Sequence, residues 1–228
     1  MCNNSMISVA IDGPAGAGKS SISRIAAKRL GFIYVDTGAL YRAVGLKFSL
    51  SGADTSLNCD IDGILADTTV DIRFKDGEQR VYLDGRDVSN EIRTPAASMM
   101  ASAVSAKPQV RAFLLEMQRK LARENNVVMD GRDIGTVVLP NAKVKIYLTA
   151  SAEVRAERRL KELTEKGENV TFKEVYEDMV KRDYDDMHRE IAPLKQAEDA
   201  VLADTTNCNF EASVELILKI VNEKRAEN

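Results

Sequence analysis

The first 50 residues alternate between short apolar runs and helical patterns. Residues 7–11 and 32–35 are apolar runs without polar alternation, which is typical of strands buried on both faces. Residues 21–30 and 38–50 follow them with apolar side chains three and four positions apart, as in amphipathic helices. This strand–helix–strand–helix order predicts an α/β fold with a central parallel sheet that is covered by helices on both faces.

The pattern changes between about residues 63 and 93. Residues 70–74 and 81–83 alternate apolar and polar positions on either side of the turn signal Asp76-Gly77, which is typical of an antiparallel hairpin with one solvent-exposed face. Because this hairpin interrupts the alternation of strands and helices, we interpret residues 63–93 as a small insertion within one domain that spans residues 1–228.

The remaining residues return to the first pattern. Apolar runs predict further strands at residues 127–129, 144–148 and 200–203. Helical spacing predicts helices from near Pro95, from Pro108, over residues 151–166 and 171–189, and from Phe210. Ser151 is an N-cap residue, and Thr171 with Glu174 forms a capping box. The polar residues 223–228 are expected to fray.

Composition disfavours several classes of protein. The 228 residues include one histidine, His188, and three cysteines, Cys2, Cys59 and Cys208, with no CxxC spacing. A multi-histidine metal centre, a zinc site, a disulfide framework and a Ser-His-Asp hydrolase are therefore poor interpretations, and a reducing compartment is expected. His188 itself reads as an incidental polar residue of a helix.

Net charge and hydropathy disfavour further classes of protein. The 32 Lys and Arg residues stand against 35 Asp and Glu residues, and the near-zero net charge of −3 argues against non-specific nucleic-acid binding. We see no signal peptide at the N-terminus and no run of roughly 18 apolar residues that could span a membrane. We therefore expect a cytoplasmic enzyme without a nucleic-acid or membrane partner.

A phosphate-binding loop joins the first strand to the first helix. Residues 13–20 match G-x-x-x-x-G-K-S/T in the expected strand–loop–helix context. Glycines let backbone N–H groups face phosphate oxygens, the helix N-terminus adds positive potential, and Lys19 adds a mobile cation. The alternative is a glycine-rich turn that only connects two elements. The ATP site is assigned to Gly13, Pro14, Ala15, Gly16, Ala17, Gly18, Lys19, Ser20 and Ser21.

Two oxygen-bearing residues are candidate ligands of Mg²⁺. Ser20 offers a hydroxyl at the end of the loop. Asp130 follows the apolar strand 127–129 and has the general form of a Walker B carboxylate, either as a direct ligand or through a water. No Asn-Lys-x-Asp motif is present, so a GTPase switch is disfavoured and a small kinase remains.

Arginines mark a second phosphate site. Residues 36–42 and 130–136 carry polar side chains where strands end, and such positions line the crevice at the carboxyl edge of a parallel sheet. Arg182, Asp186 and Arg189 share one face of a helix, and Arg155, Arg158 and Arg159 share one face of another. Clustered arginines suit phosphate recognition, but both helical groups could equally be solvated surface charges.

Several separated blocks resemble the bacterial cytidylate kinases. They are IDGPAGAGKS, DTGALYR, VYLDGRDVSNEIRTP, DGRDIGT and KRDYDDMHREIAPL, spread from about Ile7 to Val221. The resemblance implies a P-loop three-layer α/β/α fold with an inserted domain that binds the nucleoside monophosphate, and a helical lid at 151–190. It also implies ATP-dependent phosphorylation of CMP or dCMP to CDP or dCDP in pyrimidine metabolism, with ATP and Mg²⁺ as the small-molecule partners. A monomer is expected.

The resemblance also implies roles for individual residues. Thr37, Arg42 and Arg132 would meet the acceptor phosphate, with Tyr41 packed nearby. Ser102, Arg111 and Asp133 would recognise cytosine, whose exocyclic amine is a hydrogen-bond donor that suits a carboxylate. Arg182, Asp186 and Arg189 would reach the ribose and the phosphate. Arg155, Arg158 and Arg159 would close over the donor phosphates, and Lys19, Arg132, Arg158 and Arg159 would stabilise the transferring group.

This sequence departs from the family pattern in two places. Thr37 stands where many members have serine, which keeps the hydroxyl, and Tyr184 and Met187 interrupt a stretch that is richer in arginine in some members. Two rival functions stay open: a P-loop kinase for another small acceptor, for which Ser102, Arg111 and Asp133 would have no role, and a nucleotide-dependent switch without turnover, which would not need the acceptor-side arginines.

Overall fold

The computed structural model describes residues 6–75, 77–165 and 167–227. The strands in this part of the chain are β1 (Ser8–Asp12), β2 (Ile33–Asp36), β3 (Val70–Lys75), β4 (Glu78–Leu83), β5 (Arg86–Asp87), β6 (Val127–Gly131), β7 (Val144–Thr149) and β8 (Val201–Asp204). The α-helices are α1 (Lys19–Leu30), α2 (Thr37–Leu50), α3 (Ile61–Ala66), α4 (Pro95–Ser105), α5 (Pro108–Glu124), α6 (Ala152–Glu165), α7 (Phe172–His188) and α8 (Phe210–Ala226). A single π-helical turn covers Ile134–Val138.

Five strands form the predicted parallel sheet. Their order is β2-β6-β1-β7-β8, so β1 pairs with β6 on one side and with β7 on the other. Val9, Ala10 and Ile11 are fully buried because helices cover both faces of the sheet, as the absence of polar alternation predicted. The α/β class is confirmed, and the carboxyl ends of β1, β2 and β6 meet at one edge, where a parallel sheet places its ligands.

The predicted antiparallel segment is a separate three-stranded sheet, in the order β3-β4-β5. Its inner residues Val81 and Leu83 pack with Leu40, Val44 and Phe48 of α2 in one apolar cluster. The two-residue strand β5 was not predicted, because so short a strand has no detectable alternation. Asp76 of the predicted turn lies outside the described residues.

The N-terminal ends of several helices are explained by capping. Asp36 accepts a hydrogen bond from the backbone N–H of Ala39 and caps α2, while Thr171 and Glu174 form the predicted capping box of α7. Helix α1 begins two residues earlier than predicted, directly after Gly18, whose φ of 84° is in the left-handed region.

Three details of the chain differ from the sequence prediction. Helix α3 and the π-helical turn were not predicted, because each is too short to show a helical period. The expected fraying is wrong as far as Ala226, since α8 continues to that residue. Buried Ile217, Ile220 and Val221 hold α8 against the sheet, and Lys224 and Arg225 favour its C-terminal end. No helix in the described part of the chain is long and apolar enough to cross a membrane.

Candidate active site

The phosphate-binding loop lies at the carboxyl end of the central strand β1. Gly13 has a φ of 153°, and a Cβ atom at this position would lie 2.0 Å from the carbonyl oxygen of Leu148 on the neighbouring strand β7. The backbone at Gly13 therefore lies directly against the neighbouring strand, which only glycine permits. This close approach positions residues 14–18 directly before the N-terminus of α1, where backbone N–H groups and the helix dipole favour an anion.

Lys19 is the first residue of α1, and its side chain reaches back to the loop. Its side chain is buried, and Nζ donates a hydrogen bond to the carbonyl oxygen of Pro14 at 2.7 Å. Burial and the nearby positive charge of Arg132 lower the pKa of Lys19 well below its ordinary value. A bound polyphosphate would offset both effects, so the structure holds the ammonium group where a strongly negative ligand stabilises it.

Asp130 is the penultimate residue of β6 and faces the loop. One carboxylate oxygen accepts from the Ser20 hydroxyl at 3.0 Å, and the other accepts from the hydroxyl of Tyr34 at 2.8 Å. Burial, with the nearby negative charge of Asp36, raises the pKa of Asp130 to about 6. Burial likewise raises the pKa of Tyr34 well above its ordinary value. Tyr34 was not predicted as a site residue, because inside a short apolar strand it has no distinguishing pattern.

The donor set around Asp130 fits a magnesium ion. A hydroxyl oxygen and a carboxylate oxygen are the ligand types that Mg²⁺ prefers, and this ion keeps several water and phosphate oxygens. Within the ranges that the structure describes, no group of three or more His, Cys, Asp or Glu side chains could enclose a metal. The arrangement therefore suits a metal that arrives with a phosphate ligand.

A buried ion-pair network forms the second part of the site. Asp133, in the loop after β6, pairs with Arg111 of α5 and, at 3.3 Å, with Arg189 at the end of α7. Asp186 of α7 accepts from Arg132 Nε at 2.7 Å. Asp133 and Asp186 are only 5% and 7% exposed. The interpretation of Asp186 and Arg189 as members of a solvated surface ladder is therefore wrong.

The charges of this network stabilise one another. Burial acts to raise the pKa of Asp186, but Arg132, Arg182 and Arg189 outweigh it, and the pKa is lowered. Burial acts to lower the pKa of Arg132, but the negative charge of Asp186 outweighs it, and the pKa is raised. Both groups are therefore held in their charged forms.

Other cations in the cluster lack full compensation. Arg42 of α2 pairs with Asp36 at 2.8 Å, but among the described residues the buried Nε atoms of Arg42 and Arg182 have no hydrogen-bond partner. Burial, with the positive charges of Arg132 and Arg42, lowers the pKa of Arg182. Because buried donors are normally paired, these two unpaired Nε atoms, together with the closeness of Arg182 to Lys19, indicate the position of an anionic ligand.

Three further predicted residues line the same edge. Thr37 is buried, and its hydroxyl donates to the backbone carbonyl of Asp130 at 2.7 Å. The ring of Tyr41 lies 5.7 Å from the guanidinium of Arg111, and burial raises the pKa of this tyrosine to about 12. Ser102 is half-buried on α4, one turn before Ser105, whose carbonyl oxygen accepts from Arg111. All three thus lie around the Arg111–Asp133 pair or β6.

The predicted cationic face of α6 is divided by the structure. Arg155 is buried and donates to the carbonyl oxygens of Ala15 and Ala150 and to the carboxylate of Asp183. Arg158 donates to the backbone carbonyls of Thr205 and Cys208. Arg159 pairs with Glu162 on the more exposed side of the helix. The expectation of a single cationic face is wrong, because Arg155 and Arg158 are held by the protein itself.

Asp183 and Asp12 are site residues that the sequence reasoning missed. Asp183 of α7 accepts a hydrogen bond from the backbone N–H of Ala15 in the phosphate-binding loop at 3.0 Å. Asp12 accepts from the backbone N–H groups of Ile134 and Gly135, both at 2.7 Å. Burial raises the pKa of Asp12 to about 6. The available signal for Asp12 was its place at the end of β1, on the same sheet edge as Asp130.

The atypical residues of α7 lie away from the network. Tyr184 and Met187 are exposed on the outer side of the helix. The His188 ring stacks on Tyr184 with 4.0 Å between centroids, and its Nδ1 is 2.8 Å from the carbonyl oxygen of Tyr184. These departures therefore leave the buried side of α7, with Arg182 and Asp186, unchanged.

Comparisons with known proteins agree with this geometry. The family model described as cytidylate kinase matches residues 9–223. The cytidylate kinase of Caldicellulosiruptor bescii is 50% identical over 94% of this chain and 95% of its own length. That of Carboxydothermus hydrogenoformans is 50% identical over 95% and 97%, and that of Lactobacillus johnsonii is 46% identical over 97% and 96%.

Solved structures show the same fold at low identity. TT1252 from Thermus thermophilus superposes with a TM-score of 0.50 at 19% identity, over 97% of this chain and 98% of that chain. An uncharacterized protein from Eubacterium ventriosum gives a TM-score of 0.51 at 12% identity, over 95% and 99%. The full-length agreement with the sequence family, together with a phosphate-binding loop beside a buried arginine–aspartate network, shows that the chain belongs to the cytidylate kinase family.

Proposed function

We propose that this protein transfers the γ-phosphoryl group of ATP to CMP or dCMP, giving ADP and CDP or dCDP. The observation that carries the proposal is the buried carboxylate of Asp133, held between Arg111 and Arg189 at the sheet edge that also carries the phosphate-binding loop. Such a carboxylate is suited to a base that offers an amine, and the surrounding arginines are suited to its phosphate.

The donor nucleotide would occupy the loop of residues 13–20 with Ser21. Backbone N–H groups and Lys19 would contact the phosphates. Arg155 and Arg158 are proposed to shape this site from α6, since Arg155 holds Ala15 and Arg158 holds the segment at Thr205 and Cys208. Ser20 and Asp130 would hold Mg²⁺, which would neutralise negative charge on the donor phosphates.

The acceptor base would lie against Asp133. Its carboxylate would accept from the exocyclic amine of cytosine, and Arg111 would donate to ring acceptors. Ser102 would lie along the same base edge. Uracil places a carbonyl where cytosine has the amine, so UMP would leave Asp133 without a donor. Unpaired buried polar groups are the strong form of substrate rejection.

The acceptor sugar and phosphate would extend toward the uncompensated cations. Arg42, Arg132 and Arg182 would bind the phosphate. The Nε atoms of Arg42 and Arg182, which have no partner among the described residues, and the lowered pKa of Arg182 support this position. Asp186 and Arg189 would reach the ribose. Thr37 would position the β2–α2 turn through its hydrogen bond to Asp130, with Tyr41 packed on the Arg111 side.

Two regions of the chain are proposed to close over the site. The insertion of residues 63–93 contacts the acceptor edge directly, because the Gln79 amide oxygen accepts from the Asp36 backbone N–H at 2.8 Å. The lid of residues 151–190 contributes α6 and α7. Closure of both would exclude water that otherwise hydrolyses ATP.

The chemistry requires positioning rather than a general base. The attacking atom is a phosphate oxygen of CMP, which is already ionised near neutral pH. The protein would align this oxygen with the γ-phosphorus and neutralise the developing charge with Lys19, Arg132, Arg158 and Arg159. A chain with one exposed histidine is sufficient for such a reaction.

The proposal is tested by ADP release in the presence of ATP and each nucleoside monophosphate. We expect turnover with CMP and dCMP to exceed turnover with UMP and AMP by at least about 10²-fold, because a mismatched base leaves buried polar groups of the site unpaired. Equal rates with UMP would refute the base assignment. Rapid ATP hydrolysis that no monophosphate accelerates would favour the nucleotide-dependent switch.

A further inference from the structure

The loop that carries Asp133 continues directly into the π-helical turn Ile134–Val138. The turn is defined by bonds between residues five apart: Val138 N–H to Asp133 C=O at 3.1 Å and Leu139 N–H to Ile134 C=O at 2.7 Å. So short a turn leaves its first N–H groups and its last C=O groups without partners inside the turn. Side chains from two distant elements supply those partners.

Asp12 closes the N-terminal end of the turn. Its two carboxylate oxygens accept from Ile134 N–H and Gly135 N–H, both at 2.7 Å, and the side chain is only 5% exposed. A Cβ atom on Gly135 would lie 3.3 Å from the Asp12 carboxylate, so the backbone fits closely against it. Asp12 is the last residue of β1, immediately before Gly13 of the phosphate-binding loop.

Arg119 closes the C-terminal end. Its Nε donates to Val138 C=O and its second guanidinium nitrogen donates to Val137 C=O, both at 3.0 Å. A carboxylate at the N–H end and a guanidinium at the C=O end both match the direction of the peptide dipoles. Arg119 lies on α5 two turns after Arg111, which pairs with Asp133 itself.

We propose that Asp12 and Arg119 are positioning residues for base recognition: they fix the π-helical turn from both ends and thereby set the place of the Asp133 carboxylate. Asp12 also joins the end of β1 to the same turn, so it fixes the position of the acceptor base relative to the phosphate-binding loop. This inference rests on the proposed function. Because recognition groups must be held within about 0.5 Å, and a displacement of 1 Å can cost about 10²-fold, loss of either support should be measurable.

The cleaner test is at Arg119, which lies farther from the ATP loop. We expect Arg119→Gln to raise the KM for CMP about 10-fold and to lower the CMP-over-UMP ratio of kcat/KM by a similar factor, with the KM for ATP changed less than twofold. Arg119→Lys keeps one donor and should recover part of the ratio. The matched control is Arg123→Gln, one turn further along α5, where the guanidinium pairs with exposed Glu116; it should behave as wild type.

A double-mutant cycle separates positioning from general stability. If Arg119 acts through Asp133, Arg119→Gln should have no further effect on the CMP-over-UMP ratio in an Asp133→Asn background. Asp12→Asn, which offers only one acceptor to the two N–H groups, should reproduce the loss of the ratio. Thermal unfolding of every variant is measured in parallel.

The outcomes distinguish this inference from the proposed function. A wild-type enzyme without CMP preference refutes the proposed function, whatever the variants do. A wild-type preference for CMP that survives unchanged in Arg119→Gln and Asp12→Asn overturns the inference alone, also when both variants unfold at lower temperature. If Arg119→Gln does not fold, the Arg119→Lys ratio decides: an unchanged ratio overturns the inference, and a lowered one supports it.

Discussion

The two candidate nucleotide sites of this protein are built in different ways. The candidate donor site is a run of eight consecutive residues, 13–20, in which backbone groups and one lysine face the ligand. The candidate acceptor site draws side chains from α2, α5, the loop after β6 and α7, linked by ion pairs such as Arg132–Asp186 and Arg189–Asp133. A local motif can carry phosphate binding, whereas recognition of a base and its sugar needs side chains that only the complete fold brings together.

The largest expected effect lies in the donor site. Lys19→Met should lower kcat about 10³-fold, because a buried cation beside the transferring phosphate is lost, while the affinity for CMP measured by calorimetry stays within about threefold. If the variant lost CMP affinity to the same degree as kcat, the two sites would not be separately built.

A substitution in the acceptor site should impair the use of CMP and leave ATP binding intact. Asp133→Ala should lower kcat/KM for CMP about 10²- to 10³-fold and leave ATP affinity unchanged, because the cytosine amine loses its acceptor. Arg111 and Arg189 also lose a buried partner, so the melting temperature should fall. Asp185→Ala, an exposed carboxylate on α7, is the control. Unchanged CMP kinetics in Asp133→Ala would remove Asp133 from the site.

The residue between the two sites should give the protein a distinctive pH dependence. Burial raises the pKa of Asp12 from 3.8 to about 6, with a further rise from Asp133 and opposing effects of the Gly135 and Ile134 N–H groups and Lys19. A raised carboxyl pKa contributes stability that is complete below pH 3.8 and is lost as the pH rises through about 6. This loss amounts to about 3 kcal/mol.

Urea unfolding at pH 4, 5, 6 and 7 measures this contribution. The free energy of unfolding of the wild type should fall by about 2.4 kcal/mol more than that of Asp12→Asn between pH 4 and pH 7, because part of the loss has already occurred at pH 4. Asp130, whose pKa is also raised to about 6, is present in both proteins and cancels. Parallel pH profiles would show that Asp12 titrates as an ordinary surface carboxyl group.

The smallest effect tests whether the donor site depends on side chains outside its motif. Asp183→Asn should raise the KM for ATP about 10-fold, because the Ala15 N–H loses a charged acceptor and Arg155 loses its partner. The KM for CMP should stay constant. A change in CMP rather than in ATP would assign Asp183 to the acceptor site and weaken the contrast between the two.

The two candidate sites also differ in how much of each could be predicted from the sequence. The strands and helices of the α/β core, the antiparallel segment and the phosphate-binding loop were predicted from periodicity and from one complete motif, because each of these patterns is visible in neighbouring residues. The positions of the acceptor residues came from a resemblance between separated blocks. Helical spacing alone could not tell the buried pair Asp186–Arg189 from a surface ladder, because spacing shows which residues share a face but not what covers it.

The residues that were missed have tertiary roles. Asp12 and Asp183 each accept hydrogen bonds from backbone N–H groups far away in the chain, and no local pattern reports such a partner. The prediction of a single cationic face on α6 was wrong for the same reason. Arg155 and Arg158 carry the right spacing for a cationic surface, but the phosphate-binding loop and the segment after β8 pack against them.

The strand order also has a consequence for how the chain is made. β1 and β2 both pair with β6, and the Ile7 N–H bonds to the side chain of Asn126, 119 positions later. At a synthesis rate of about 5–20 residues per second, the apolar strand β1 waits roughly 6 to 24 s for its first sheet neighbour to be made. During that interval the apolar residues of β1 have no neighbouring strand to pair with. Formation of the central sheet is therefore expected to be a slow step of folding, because it depends on contacts distant in sequence.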